Sequence, residues 1–220
     1  MNKPLPGILI VAAMCLLAAC GEHGAAQKPL GAAAQNSAQA NSTMPCAYVV
    51  GQPGKHNADL FVAAGNGDVH RVEQALVAGE RFNATDSLKR TPLFAAAFCN
   101  RTAAANLLID KGGDVNARDF IGLSPLHAAV IVGGSETAKA LILRGANINM
   151  QNATGRTPLH LAAATNQGAM VDMLMERGAD AQIPDKNGVA ATALALNNGH
   201  PAVAAAIEKW QEKNKTAIQQ

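Results

Sequence analysis

The sequence predicts an all-α solenoid, in which five helix-turn-helix units joined by short loop hairpins stack side by side. The nine-residue run from Gly155 to Ala163 (GRTPLHLAA) can be laid over the chain repeatedly in steps of thirty-three residues. Positions equivalent to Thr157 are Ala58, Thr91, Ser124 and Ala190. Four glycines keep the same register: Gly79, Gly112, Gly145 and Gly178. A fixed period of this length is typical of stacked repeats.

Amide side chains follow the same step, at Asn83, Asn116 and Asn149, with Gln182 in the fourth place. No residue is inserted or lost between copies. A period of thirty-three residues with T-P-L-H-x-A is the ankyrin signature, and the chain resembles the ankyrin repeat family from about Asp59 to Lys209. The resemblance implies an ankyrin-repeat solenoid that works by binding other proteins.

The first helix of each unit is predicted from its start and its end. Thr157 suits an N-cap, because its hydroxyl can accept a hydrogen bond from a backbone N–H of the first turn. Pro158 follows, where a missing N–H costs nothing. Leu159, Ala162 and Ala163 then recur at helical spacing. The helix is expected to end at a residue that tolerates left-handed backbone, in the set Gly67, Asn100, Gly133, Asn166 and Gly199.

A second helix is predicted from about Ala169 to Glu176, with Gly178 ending it. Helices this short are marginal alone in water. They persist by burying apolar faces against the next unit, so stability is expected to grow with the number of repeats.

The predicted repeat domain covers residues 58–213. Its units are 58–90, 91–123, 124–156, 157–189 and 190–213, followed by a tail at 214–220. The three central units open with Thr91-Pro92, Ser124-Pro125 and Thr157-Pro158, whereas the first and fifth lack this opening. Terminal repeats are expected to depart from the pattern, since one face meets water. Trp210 is expected to help close the C-terminal end.

The N-terminal sequence has the features of an export signal. Lys3 supplies a positive start, residues 7–17 an apolar run too short to span a membrane comfortably, and small residues a cleavage site. The sequence Leu17-Ala18-Ala19-Cys20 resembles the bacterial lipobox. This resemblance implies removal of residues 1–19 and lipidation of Cys20, and Gly21 favours the outer membrane. An ordinary signal peptide with a chance cysteine is the alternative.

Between the anchor and the repeats, residues 20–44 are poor in large apolar side chains and predict a flexible tether. About 25 such residues span roughly 25–30 Å. Residues 45–57 regain apolar character and are interpreted as an N-terminal cap segment. Only Cys46 and Cys99 remain in the folded part of an exported chain, so they are candidates for a disulfide in an oxidising periplasm. Two unpaired thiols are the alternative.

Composition excludes some classes of function. Without Lys3 the chain carries 17 basic and 16 acidic residues, so no basic footprint indicates nucleic-acid binding. The ankyrin resemblance assigns His127 and His160 a structural role near the helix start. A recurring loop position, Asp86, Asp119, Asn152 and Asp185, fits turn chemistry better than calcium binding. We find no catalytic or metal-binding motif and expect neither an enzyme nor a cofactor.

The ankyrin resemblance places partner binding on the hairpin tips and the exposed side of each first helix, which line a concave groove. The first-helix candidates are Phe98, Cys99, Ile131 and Val132. The loop candidates are Arg118, Phe120, Ile121 and Leu123, flanked by Arg90 and Arg156. Most are large and apolar where polar residues are the default, so they predict an exposed apolar interaction surface. Alternatively, the N-terminal cap folds over them.

The leading hypothesis is therefore a non-catalytic, monomeric module, lipid-anchored in the periplasm, that binds a protein partner in its groove. Exported ankyrin proteins are similar to partners of periplasmic stress enzymes and to immunity proteins that block periplasm-acting toxins, and the residues do not choose between these uses. A thiol or redox protein using Cys99, His127 or His160 is a second class. A purely structural tether without a defined partner is a third.

Overall fold

The computed structural model describes residues 57–218, with side chains as far as residue 213. The chain divides into two units, Met1–Met44 and Pro45–Gln220, and all the described residues belong to the second. The signal peptide, the lipidated Cys20, the tether and Cys46 lie outside the described residues, so what the sequence indicates for them stays a prediction.

The described part of the chain contains ten α-helices and no strand, arranged as five consecutive pairs. This confirms the predicted all-α repeat solenoid. The pairs are α1 (Ala58–Asn66) with α2 (Val69–Val77), α3 (Pro92–Phe98) with α4 (Thr102–Asp110), α5 (Pro125–Ile131) with α6 (Ser135–Leu143), α7 (Pro158–Ala164) with α8 (Gly168–Glu176), and α9 (Ala191–Asn197) with α10 (Pro201–Ile218). None of the described helices is both long and apolar enough to cross a membrane.

Hydroxyl caps begin the first helices of the three central pairs. The side chains of Thr91, Ser124 and Thr157 each accept a hydrogen bond from the backbone N–H three residues later, and a proline follows each cap. Helices α1 and α9 have no side-chain cap bond. The N-terminal and C-terminal repeats therefore lack the local stabilisation of the central three, which is about 1 kcal/mol per cap.

The core is built from two columns of buried aliphatic residues that repeat with the helices. First helices contribute Leu60, Leu93, Leu126 and Leu159, and second helices contribute Leu108, Leu141, Leu174 and Ile207. Each is at most 1% exposed, and burying such a side chain stabilises the fold by about 1.5–3 kcal/mol. Each first helix packs against the next first helix in the chain, so much of this burial exists only because a neighbouring repeat is present.

Asp and Asn side chains shape the hairpins between repeats. In the second hairpin, Asp119 Oδ1 accepts the N–H groups of Ile121 at 3.0 Å and Leu123 at 2.7 Å. The same two bonds recur at Asp86, Asn152 and Asp185. Each of these oxygens fixes a turn of its own backbone, as turn chemistry predicts.

Backbone hydrogen bonds join each hairpin tip to the next. The N–H of Phe120 donates to the carbonyl of Leu88 at 3.0 Å, and the N–H of Ala153 donates to the carbonyl of Ile121 at 2.8 Å. A third bond runs from Lys186 to Thr154 at 3.0 Å. These bonds hold the four tips as one row, so any residue carried on a tip is positioned before a partner arrives.

Candidate functional site

His127 lies at the start of α5, where its ring connects the end of the second hairpin to the third hairpin. Its Nδ1 accepts the backbone N–H of Ser124 at 3.2 Å, while Ser124 Oγ caps the N–H of His127. Its Nε2 lies 3.2 Å from the carbonyl oxygen of Arg156, on the third hairpin, which leads into the next repeat. A backbone N–H can only donate and a carbonyl can only accept, so the ring is neutral with its proton on Nε2.

His160 repeats this arrangement one unit later. Its Nδ1 accepts the N–H of Thr157 at 3.2 Å, and its Nε2 donates to the carbonyl of Val189 at 3.0 Å. Burial lowers the pKa of His127 to about 4 and lowers the pKa of His160 below its ordinary value. Both rings are fully buried. They therefore fasten the start of each of these first helices to the hairpin that leads into the next repeat, and both of their ring nitrogens are engaged.

The groove side of the first helices is apolar in only two repeats. The two positions that close each first helix are Phe98 and Cys99 in the second repeat and Ile131 and Val132 in the third. In the fourth and fifth repeats these positions are held by Ala164, Thr165, Asn197 and Asn198. Because α3 packs directly against α5, the apolar positions lie next to each other. Val132 is 41% exposed, whereas Phe98 and Ile131 are half-buried.

The second hairpin carries the other exposed apolar residues. Phe120 is 60% exposed at the tip, and Ile121 beside it is half-buried. Arg118 is exposed, and its guanidinium donates to the carbonyl of Gln151 at 2.7 Å. We call Phe98, Phe120, Ile121, Ile131 and Val132 the apolar patch.

Two residues expected on this surface are buried instead, which corrects the sequence analysis. Leu123 is 6% exposed and Arg156 is 8% exposed. Arg156 Nε lies 3.3 Å from Oδ2 of Asp185 in the following hairpin. Both residues occupy the returning arm of a hairpin, where the chain turns inward toward the next helix. They support the hairpins and present nothing to a partner.

Arg90 and Cys99 are also less open than the sequence suggested. Arg90 is half-buried, with its guanidinium carbon 5.8 Å from the ring centre of Phe94 and its Nε 3.8 Å from Asp86 Oδ2. Phe94 stacks on Phe98 with ring centres 6.4 Å apart. Cys99 is 8% exposed. Arg90, Phe94 and Phe98 therefore pack in sequence from the first hairpin to the end of α3.

Sequence reasoning missed a buried acceptor in the first hairpin. The side chain of Asp86 is 0% exposed, and its Oδ2 accepts no hydrogen bond. In the fourth hairpin the equivalent oxygen of Asp185 is bonded by Arg156, twenty-nine residues earlier. The same offset from Asp86 gives Asn57, whose side chain instead accepts the N–H of Arg81 at 3.0 Å.

Sequence reasoning also missed three exposed apolar side chains. Val77 is 89% exposed, Leu143 is 73% exposed and Leu196 is 53% exposed. Val77 and Leu143 hold the same position on a second helix, two repeats apart, and Asp110, Glu176 and Lys209 hold it in the other three repeats. They are isolated from one another, as single exposed apolar residues commonly are. They therefore serve as matched control positions for the patch.

Groups that could carry chemistry do not converge among residues 57–213. In that range no three His, Cys, Asp or Glu side chains lie close enough together to hold a metal ion. At the C-terminal end, the indole N–H of Trp210 donates to Asp172 Oδ1 at 3.0 Å, which fastens α10 to α8.

A comparison with protein-family models gives two overlapping matches. A model described as "Ankyrin repeats (3 copies)" matches residues 60–152 and residues 126–217. Together these matches span well over half of the 220 residues. No curated protein matches the chain.

Proposed function

The chain belongs to the ankyrin repeat family, and from that premise we propose a non-catalytic binding module, held in the periplasm, that takes a protein partner in its groove. Repeats of this family indicate protein–protein interaction. The observation that carries the proposal is the grouping of large, exposed or half-buried apolar side chains at the groove positions of the second and third repeats and on the hairpin between them. Exposed apolar surface of this kind commonly marks an interaction site.

The row of hydrogen-bonded hairpin tips explains how such a surface can bind a partner well. The tips of consecutive hairpins are joined by backbone bonds of 2.8–3.0 Å, and the helices beneath them are packed on both sides. Little conformational freedom is left to lose on binding, so less of the interaction energy is spent on ordering. The exposed ring of Phe120 is the best anchor, because aromatic residues dominate interface energetics.

Replacing Phe120 and Ile121 of the apolar patch with acidic residues is expected to abolish partner binding without unfolding the protein. Phe120→Asp and Ile121→Asp put charge where the partner would bury apolar surface. We expect recovery of the partner from periplasm by the immobilised chain to fall at least tenfold, since one charged group in a dry interface costs more than about 1.4 kcal/mol. The control is Val77→Asp, which is 89% exposed on α2. Equal recovery with both variants would reject the patch as the binding surface.

The proposal includes attachment to the outer membrane through lipid on Cys20, supported by the Leu17-Ala18-Ala19-Cys20 sequence. Cys20→Ser is expected to move the protein from the outer-membrane fraction to the soluble or unprocessed fraction. Cys15→Ser is the matched control, because Cys15 lies within the segment that is removed. Membrane recovery of the Cys20→Ser protein at the wild-type level would contradict lipidation at this residue.

Two biological uses follow from the same surface. The module acts either as an immunity protein that neutralises a toxin in the periplasm or as an accessory partner of a periplasmic stress enzyme. The identity of the recovered partner decides between them. A thiol-based redox activity is disfavoured by the burial of Cys99 at 8% exposure, because reactive cysteines need access to solvent.

A further inference from the structure

A cleft between the tips of the first and second hairpins carries two exposed cations. Lys89 lines it from the first hairpin and Arg118 from the second, and its volume is about 370 Å³. We propose that this cleft takes a carboxylate side chain of the protein partner, which Lys89 and Arg118 hold beside the ring of Phe120. This proposal rests on the proposed function and adds the chemistry of the partner, an acidic residue next to the apolar residue that contacts Phe120.

Lys89 is an exception in the row of hairpin tips. The equivalent positions of the other three hairpins are Gly122, Gly155 and Gly188. Lys89 adopts the same left-handed backbone with φ 58, which is unfavourable for a residue with a Cβ. Within the part of the chain that the structure describes, no hydrogen bond or ion pair engages its ammonium group. The backbone strain at Lys89 therefore brings the described fold no polar contact, which indicates a use for this side chain in binding.

Arg118 is held in place on the other side of the cleft. Its guanidinium donates to the carbonyl of Gln151 at 2.7 Å and packs over Gly122, where an added Cβ would lie 2.8 Å from Nη2. A guanidinium carries five N–H donors, so this one bond positions the group and leaves further donors for a ligand. The equivalent positions of the other hairpins are Thr85, Gln151 and Pro184. Among the four hairpins, only the second therefore has a cation here.

The nearby acidic residues leave the cleft with a net positive charge. Asp86 and Asp119 are buried, and their Oδ1 atoms accept backbone N–H groups of their own turns. Asp86 is also ion-paired with Arg90, at 3.8 Å between Oδ2 and Nε. Asp114 is exposed and lines the cleft. The charged side chains that line the cleft are thus two cations and one carboxylate, so a second carboxylate is attracted.

A backbone hydrogen bond places the cleft beside the apolar patch. The N–H of Phe120 donates to the carbonyl of Leu88 at 3.0 Å, so Lys89 and Phe120 lie on adjoining tips. Arg118 precedes Phe120 by two residues in the same hairpin. An exposed ion pair alone contributes little to affinity. We therefore expect the carboxylate to bind as part of a segment that also packs an apolar side chain on Phe120.

An NMR titration of the purified full chain with an end-blocked tetraglutamate peptide tests the cleft without the partner. We expect chemical-shift changes at the amides of residues 88–90 and 117–119, and none with tetraglutamine at the same concentration. Binding should weaken as NaCl rises from about 50 to about 300 mM, since salt screens exposed charges. Inorganic phosphate is titrated separately to distinguish a free anion from a peptide carboxylate.

Substitutions taken from the third hairpin remove each cation while keeping a residue that the fold already accepts. Lys89→Gly copies Gly155 and Arg118→Gln copies Gln151. Each should weaken the affinity for tetraglutamate about twofold to fivefold. Lys186→Ala is the matched control, because Lys186 is an exposed cation on the fourth hairpin, and it should leave the affinity unchanged.

The stability of Lys89→Gly separates a role in binding from a role in the fold. Glycine relieves the left-handed strain, so the urea midpoint should rise while the affinity for tetraglutamate falls. A lower midpoint would show that Lys89 supports the hairpin and would overturn the proposal.

Three other results would overturn it. They are the absence of shifts at residues 88–90, an equal loss of affinity in Lys186→Ala, and tighter binding of inorganic phosphate than of tetraglutamate, which would indicate a small-anion site. Failure here is separate from failure of the proposed function. If tetraglutamate does not bind but Phe120→Asp still abolishes partner recovery, the proposed function stands and the carboxylate cleft is rejected.

Discussion

Gly155→Ala is expected to cost at least about 3 kcal/mol of unfolding free energy. Gly155 has φ +77 in the third hairpin, and left-handed backbone costs a residue with a Cβ about 1–2 kcal/mol. A Cβ there would also lie 2.6 Å from the backbone N of Lys186 and 3.0 Å from the backbone C of Asp185. Both atoms belong to the next hairpin's main chain, so relief requires the two hairpins to separate. Urea unfolding followed by circular dichroism measures the loss.

Gly188→Ala is the matched control, because Gly188 holds the same position one repeat later. Its φ is +76, yet nothing lies within 4 Å of an added Cβ. It should lose only the backbone part, about 1–2 kcal/mol. Lys89 holds the position in the first hairpin with φ 58, which shows that strain alone is tolerated. Equal losses of unfolding free energy for Gly155→Ala and Gly188→Ala would mean that the third and fourth hairpins can separate without a cost in stability.

The fold could be predicted because its determinants are local and recur. Thr157 and Pro158 act within one helical turn, and the same pattern appears at Thr91 and Ser124. Each copy of the pattern therefore supports the helix predicted from the other copies. The side chains at Asp86, Asp119, Asn152 and Asp185 likewise act on backbone two to four residues away. A chain of this kind specifies its helices and turns almost independently of what is far away in sequence.

The candidate surface was only partly predictable, because exposure depends on how neighbouring hairpins lean together. Phe120 and Val132 are exposed as expected, whereas Leu123 is buried. Phe120 and Leu123 both follow Asp119 within the same turn, so the sequence does not show which of the two side chains is buried. The structure shows that Leu123 lies on the arm of the hairpin that faces inward. Arg156 was expected to flank the binding surface, whereas it is buried in an ion pair with Asp185, which lies in a different repeat.

Acidification from pH 7 to pH 5 is expected to remove about 2 kcal/mol of stability through His127 alone. Burial lowers its pKa to about 4 in the folded chain, whereas the unfolded chain keeps a value near 6.5. Between these values the unfolded state binds more protons, so stability is full above pH 6.5 and falls as the pH approaches 4. His160 shifts in the same direction and adds to the loss. Urea midpoints across this pH range measure it.

His127→Phe should make this pH dependence shallower, because it removes one of the two titrating rings. The second repeat already carries Phe94 at this position with only 4% exposure, so the fold accommodates the larger side chain. Leu126→Val is the control: it destabilises the same helix by about 1 kcal/mol while keeping the full pH slope. A wild-type slope in His127→Phe would place the acid sensitivity elsewhere. A shallower slope would instead mean that acid acts at the buried hydrogen bonds of His127, since a proton on Nδ1 displaces the N–H of Ser124.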